Sequence, residues 1–98
     1  MSVENMRDVA ERIGKKFDYS APVEEFVLGL WRWDSQYEFS DDGRVRRAGA
    51  AAEKALRAIG KEIDAQYGAG VAEDIYMDVM TARSSGGRVP KGYFYTGW

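Results

Sequence analysis

The stretch RVRRAGAAAEKALRAIGKEIDAQY, residues 44–67, reads as one long helix. It is rich in Ala, Lys, Arg, Glu and Leu, the residues that lose least entropy in a helix. Asp41, Asp42 and Gly43 stand ahead of it as caps, and Gly68 stands where a helix stops. Val45, Ala52, Leu56, Ile59, Ile63 and Tyr67 recur at spacings of three, four and seven and line one apolar stripe. At 1.5 Å per residue the helix spans roughly 35 Å, the width of a small domain. The rest of the chain is expected to pack on it.

Working outward, three more helices follow from periodicity. Ser2 is placed to cap a first helix, with Val3, Met6, Val9, Ala10, Ile13 and Phe17 on one side. Gly14 weakens its last turn. Pro22 suits an opening turn, with Ser20 or Ala21 at the cap, and begins a second helix running to about Tyr37. Val23, Phe26, Val27, Leu30 and Trp31 share its inner face. The alternation in YEF and RVR around Asp42-Gly43 also fits a short β-hairpin near 36–46. After Gly68-Ala69-Gly70, Val71, Ala72, Ile75, Tyr76, Val79 and Met80 form the apolar face of a fourth helix. Gly86-Gly87 ends that pattern. The fold class expected is therefore all-α, a small single-domain bundle of about four helices. Residues 1–85 form the helical body and 86–98 an irregular basic and aromatic tail. The expected core is Met6, Val9, Ile13, Val23, Phe26, Val27, Leu30, Trp31, Leu56, Ile59, Ile63, Val71, Ile75 and Val79.

The chain has 98 residues, no Cys and no His, and a net charge of −2. The missing residue types exclude disulfides, thiolate catalysis, zinc ribbons and iron–sulfur ligation, and remove the usual general base at neutral pH. Helices three and four offer Glu62, Asp64, Glu73, Asp74 and Asp78, but none in the E-x-x-E or E-x-x-D spacing of helical pyrophosphatases. Asp41-Asp42-Gly43 lacks the alternating oxygen ligands and closing Glu of a calcium loop. No phosphate-binding glycine loop or nucleophile elbow is found. No enzyme activity, metal or cofactor is expected. No apolar run reaches the roughly 18–20 residues that span a bilayer. MSVENMRDVAERIGKK lacks the signal-peptide pattern, so the cytoplasm is the expected location.

Charge is segregated along the chain. Residues 18–42 hold seven acids (Asp18, Glu24, Glu25, Asp34, Glu38, Asp41 and Asp42) against Arg32. Residues 44–61 hold Arg44, Arg46, Arg47, Lys54, Arg57 and Lys61 against Glu53. The acidic set, with Trp33 as an exposed anchor, is a candidate surface for a basic partner protein. The basic set on the long helix is a candidate for phosphates or acidic groups. The tail residues Arg88, Lys91, Tyr93, Phe94, Tyr95 and Trp98 are suited to stack on bases or to close the bundle. Each charged set also fits a plain solvated face. Ala48, Gly49, Ala52, Ala55 and Gly60 make a small-residue surface on which two copies could pair.

Compact size, segregated charge and no catalytic set resemble the general profile of small phage-encoded inhibitors of host defence, including anti-CRISPR proteins. The likeness is one of type and covers no motif. It implies a binding protein that occupies a surface of a larger protein. Nucleic-acid binding through the basic helix face and self-association are the alternatives.

Overall fold

The computed structural model describes residues 4–36 and 43–83. These form four helices: α1 (Met6–Lys16), α2 (Ala21–Gln36), α3 (Gly43–Tyr67) and α4 (Val71–Arg83). The protein is all-α, and no strand occurs among the described residues. Residues 44–46, one arm of the alternative hairpin, are the first turn of α3. Local helix propensity outweighs the short alternation there. The other arm and the 86–98 tail lie outside the described residues.

The first cap differs from expectation. Asn5, not Ser2, closes α1: its Oδ1 accepts from the Asp8 N–H at 2.9 Å, and its own N–H donates to Asp8 Oδ2 at 3.3 Å. This reciprocal box needs an acid three residues after the cap, and Asn5 has one where Ser2 does not. Glu4, freed from the helix, turns to Arg12 instead.

Helix α2 packs against each of the other three. Among the described residues α1 and α3 share no packed surface; they meet only where the Phe17 ring touches Tyr67 edge-on, centroids 5.1 Å apart. So α1, α2 and α3 lie side by side with α2 in the middle, and α4 covers one side of that layer. The body measures 38 × 35 × 21 Å. Its thickness is about two helix diameters.

The core forms where the layers meet. It holds Val9 and Ile13 of α1, Val23, Phe26, Val27, Leu30 and Trp33 of α2, Leu56 and Ile63 of α3, and Ala72, Ile75, Tyr76, Val79 and Met80 of α4. Each large aliphatic side chain fully buried here contributes roughly 1.5–3 kcal/mol before entropy is counted. Met6, Trp31, Ile59 and Val71, expected inside, are only half-buried.

Two polar devices lock the ends. Arg12 Nη1 and Nη2 donate to the two Asp78 carboxylate oxygens, both at 2.8 Å, tying α1 to α4. The same guanidinium reaches Glu4 at 2.8 and 3.1 Å. Those hydrogen bonds to Asp78 and then Glu4 hold the Arg12 proton well above its ordinary range, outweighing burial. In the α3–α4 turn, Gly68 and Gly70 adopt φ of 122° and 90°, a region that suits glycine. The turn lets Asp64 Oδ1 accept from the Ala72 N–H at 2.9 Å, so a side chain of α3 caps α4.

Candidate functional site

The side of the layer that no described helix covers is built around the outward stripe of α2. Glu24, Leu28 and Arg32 follow at four-residue intervals, with Glu25 and Gly29 beside them. A groove runs along each flank. The α1/α2 groove has a volume of about 280 Å³ and takes Met6, Ala10, Gly14 and Leu28 as its apolar lining, with Arg7, Glu11, Tyr19 and Glu24 as its polar rim. The α2/α3 groove, about 310 Å³, is lined by Glu25, Leu28, Gly29, Arg32, Ala52, Ala55, Leu56 and Ile59. Leu28, half-buried, is the ridge between them.

The α1–α2 turn shapes the first groove. Asp18 and Tyr19 both stand in the left-handed region, at φ of 54° and 56°. Residues other than Gly rarely adopt it, because Cβ crowds the backbone. The turn is held by the Gly14 carbonyl, which accepts from Phe17 N–H at 3.0 Å and Tyr19 N–H at 2.8 Å. This folds Tyr19 back over α1. A Cβ on Gly14 would stand 3.3 Å from Tyr19 Cδ1, so the glycine gives the ring its seat. The Tyr19 hydroxyl donates to Glu11 Oε1 at 2.7 Å. That bond, then burial and the nearby carboxylates of Glu11 and Asp18, raises the Tyr19 pKa above its ordinary value. The ring is nonetheless 56% exposed, the most open large hydrophobic residue described. An aromatic face next to a carboxylate suits a guanidinium or ammonium group.

The structure divides the expected acidic surface. Glu24 lines one groove and Glu25 the other, both exposed. Asp18 is exposed at the turn. Trp33 is a correction: it is 4% exposed and part of the core, while Trp31 is half-buried with the Arg83 guanidinium 5.1 Å from its ring centre. The buried stripe of α2 advances from Leu30 by three residues, which turns Trp33 inward. Trp33 is therefore no surface anchor. Asp34 belongs to α2, but its side chain is outside the described residues, as are Glu38, Asp41 and Asp42.

On α3, Arg47, Lys54 and Lys61 are exposed, on the side away from Leu56 and Ile63. Arg57 is half-buried and pairs with Glu53 at 3.0 Å, which lowers the free charge of that face. Arg44 and Arg46 fall in α3 with side chains outside the described residues. The small-residue surface also splits. Gly49 and Gly60 are buried toward the bundle, whereas Ala52 and Ala55 line the α2/α3 groove. Arg88, Lys91, Tyr93, Phe94, Tyr95 and Trp98 lie outside the described residues.

Tyr19, Glu11, Leu28 and Arg32 were not singled out from sequence. Leu28 had a signal, since it is apolar yet off the inner stripe of α2. Tyr19 had none, because its position depends on two left-handed residues. Among the described residues no group of three or more acids is placed to hold a metal ion. Nor is any described helix long and apolar enough to cross a membrane. The chain matches no protein-family model, no curated protein and no solved structure.

Proposed function

We propose that this chain is a small non-enzymatic protein-binding module of the cytoplasm, which acts by occupying a surface of a larger protein. The observation that supports this reading is the exposed Tyr19 ring, seated on Gly14 and bonded to Glu11 at the rim of an apolar groove that Glu24 also lines. The partner it suits offers a basic segment. The stem of an Arg or Lys lies along Met6, Leu28 and the Tyr19 ring, and its head meets Glu11 and Glu24. Arg7 at the same rim favours an acidic neighbour on that segment. The action is steric, as in small phage-encoded inhibitors such as anti-CRISPR proteins, and no bond is made or broken.

A second reading, nucleic-acid binding, draws on the exposed Arg47, Lys54 and Lys61 of α3. One experiment separates the two. The wild type, Tyr19→Ala with Glu24→Arg, and Arg47→Glu with Lys61→Glu are each used to capture partners from host lysate with and without nuclease. The expected result is one stoichiometric protein, resistant to nuclease, held about tenfold more weakly by the groove variant and unchanged by the α3 variant. Equal capture by the groove variant rejects the proposed site. Nucleic acid released by rising salt supports the second reading.

A further inference from the structure

The α2/α3 groove carries opposite charges on a single line of one helix. Glu25 and Arg32 are both exposed on it. They are seven residues apart, two helical turns, so they stand on one line of α2 roughly 10 Å from each other. Leu28 and Gly29 occupy the midpoint between them. We propose that this groove receives a second copy of the chain, with the two α2 helices antiparallel about a two-fold axis at Leu28 and Gly29. That operation sets Glu25 of each copy against Arg32 of the other. A wholly basic partner satisfies Glu25 and repels Arg32, and a wholly acidic one does the reverse. A second copy satisfies both.

The lining fits the same occupant. Leu28 is a half-buried ridge beside a groove whose α3 wall is low, made by Ala52 and Ala55 with Ile59 beyond. Under the two-fold, the Leu28 ridge of each copy enters the groove of the other. The broad side of the body measures 38 × 35 Å. It can supply the roughly 800 Å² per partner that a specific interface uses. Leu28 lines both grooves, so the pairing competes with the partner site proposed above for that side chain, whereas Glu25 and Arg32 belong to the pairing alone.

The test is sedimentation equilibrium from micromolar to millimolar protein on the wild type, Glu25→Arg, Arg32→Glu and the double variant. Both side chains are exposed, so the fold is kept, and helical circular dichroism checks this. A reversible wild-type dimer is expected. Each single reversal breaks two pairs and creates two like-charge contacts, weakening association about tenfold. The double variant exchanges the charges and restores association to within about threefold. A wild type that stays monomeric at millimolar concentration overturns the proposal. So does a dimer indifferent to both reversals, or one that the double variant fails to restore.

Discussion

Replacing Arg12 by Met removes the guanidinium while keeping much of its apolar stem. The residue makes four charged hydrogen bonds, two to Asp78 and two to Glu4, at 2.8–3.1 Å. The three side chains are 36%, 37% and 30% exposed, so water screens the pairs considerably. An exposed pair contributes about 0.2–1 kcal/mol, and a buried pair broken on one side costs about 3–5 kcal/mol. Two bidentate pairs at one-third exposure fall between these limits, at about 2 kcal/mol in all. For a domain of this size that lowers the Tm by about 8–16 °C. The assay is urea unfolding followed by circular dichroism, on Arg12→Met, Asp78→Asn and both together. The α1–α4 coupling expected from the cycle is about 1 kcal/mol. A coupling below about 0.3 kcal/mol refutes the reasoning and makes the link incidental. The sign with pH follows from the raised Arg12 pKa. The contribution is fully present below the unfolded value and is lost only as pH rises through the higher folded one. Stability differences between wild type and Arg12→Met therefore stay constant from neutral pH to about pH 10, well below the arginine range.

Three other outcomes are expected from equilibrium unfolding. Ser20→Ala, at the start of α2, changes stability by less than about 0.5 kcal/mol, unlike a usual cap loss of about 1 kcal/mol. Its Oγ is buried with no hydrogen-bond partner among the described residues, so a loss above 1 kcal/mol contradicts this. Asp64→Ala frees the Ala72 N–H and costs about 1 kcal/mol, with amide exchange quickened in the first turn of α4. Gly29→Ala gains about 1 kcal/mol of helix propensity, but its Cβ stands 2.6 Å from Leu56 Cδ2, a side-chain end that must shift, and this crowding offsets the gain to leave a net change within about 1 kcal/mol. In a Leu56→Ala background the same change becomes neutral or stabilising, and a loss there removes the crowding account.

Helix identity was legible because it rests on near-neighbour patterns. The spacing of Leu56, Ile59 and Ile63, and of Val23, Phe26, Val27 and Leu30, places α3 and α2 within a residue or two, whereas the cap of α1 falls three residues beyond the expected one. The choice between Trp31 and Trp33 was not legible. Trp31 follows Val27 by four residues and Trp33 follows Leu30 by three, so the spacing of the stripe admits either. The allotment of contacts was also hidden: α3 is longest, yet α2 touches every other helix, a fact of three-dimensional order alone. Of the candidate site, Glu24 and Glu25 were visible as charge. Their division between two grooves needed the position of Leu28 between α1 and α3. Tyr19 required the left-handed pair at Asp18 and Tyr19, which composition at those positions does not announce.

The separation of α1 from α3 has a consequence for how the protein breathes. Helix α1 is attached through α2, through a smaller contact with α4 that includes the Arg12 link, and through the Phe17–Tyr67 edge, and no wider surface joins it to α3 among the described residues. It can detach as a unit while α2, α3 and α4 keep their shared core. Detachment of that kind is expected to expose Val9 and Ile13 and to widen the Tyr19 groove, and amide exchange in α1 faster than global unfolding allows is the check. The floor of the groove is then set by the opening equilibrium of one short helix, and a ligand that bridges α1 and α2 draws that equilibrium shut.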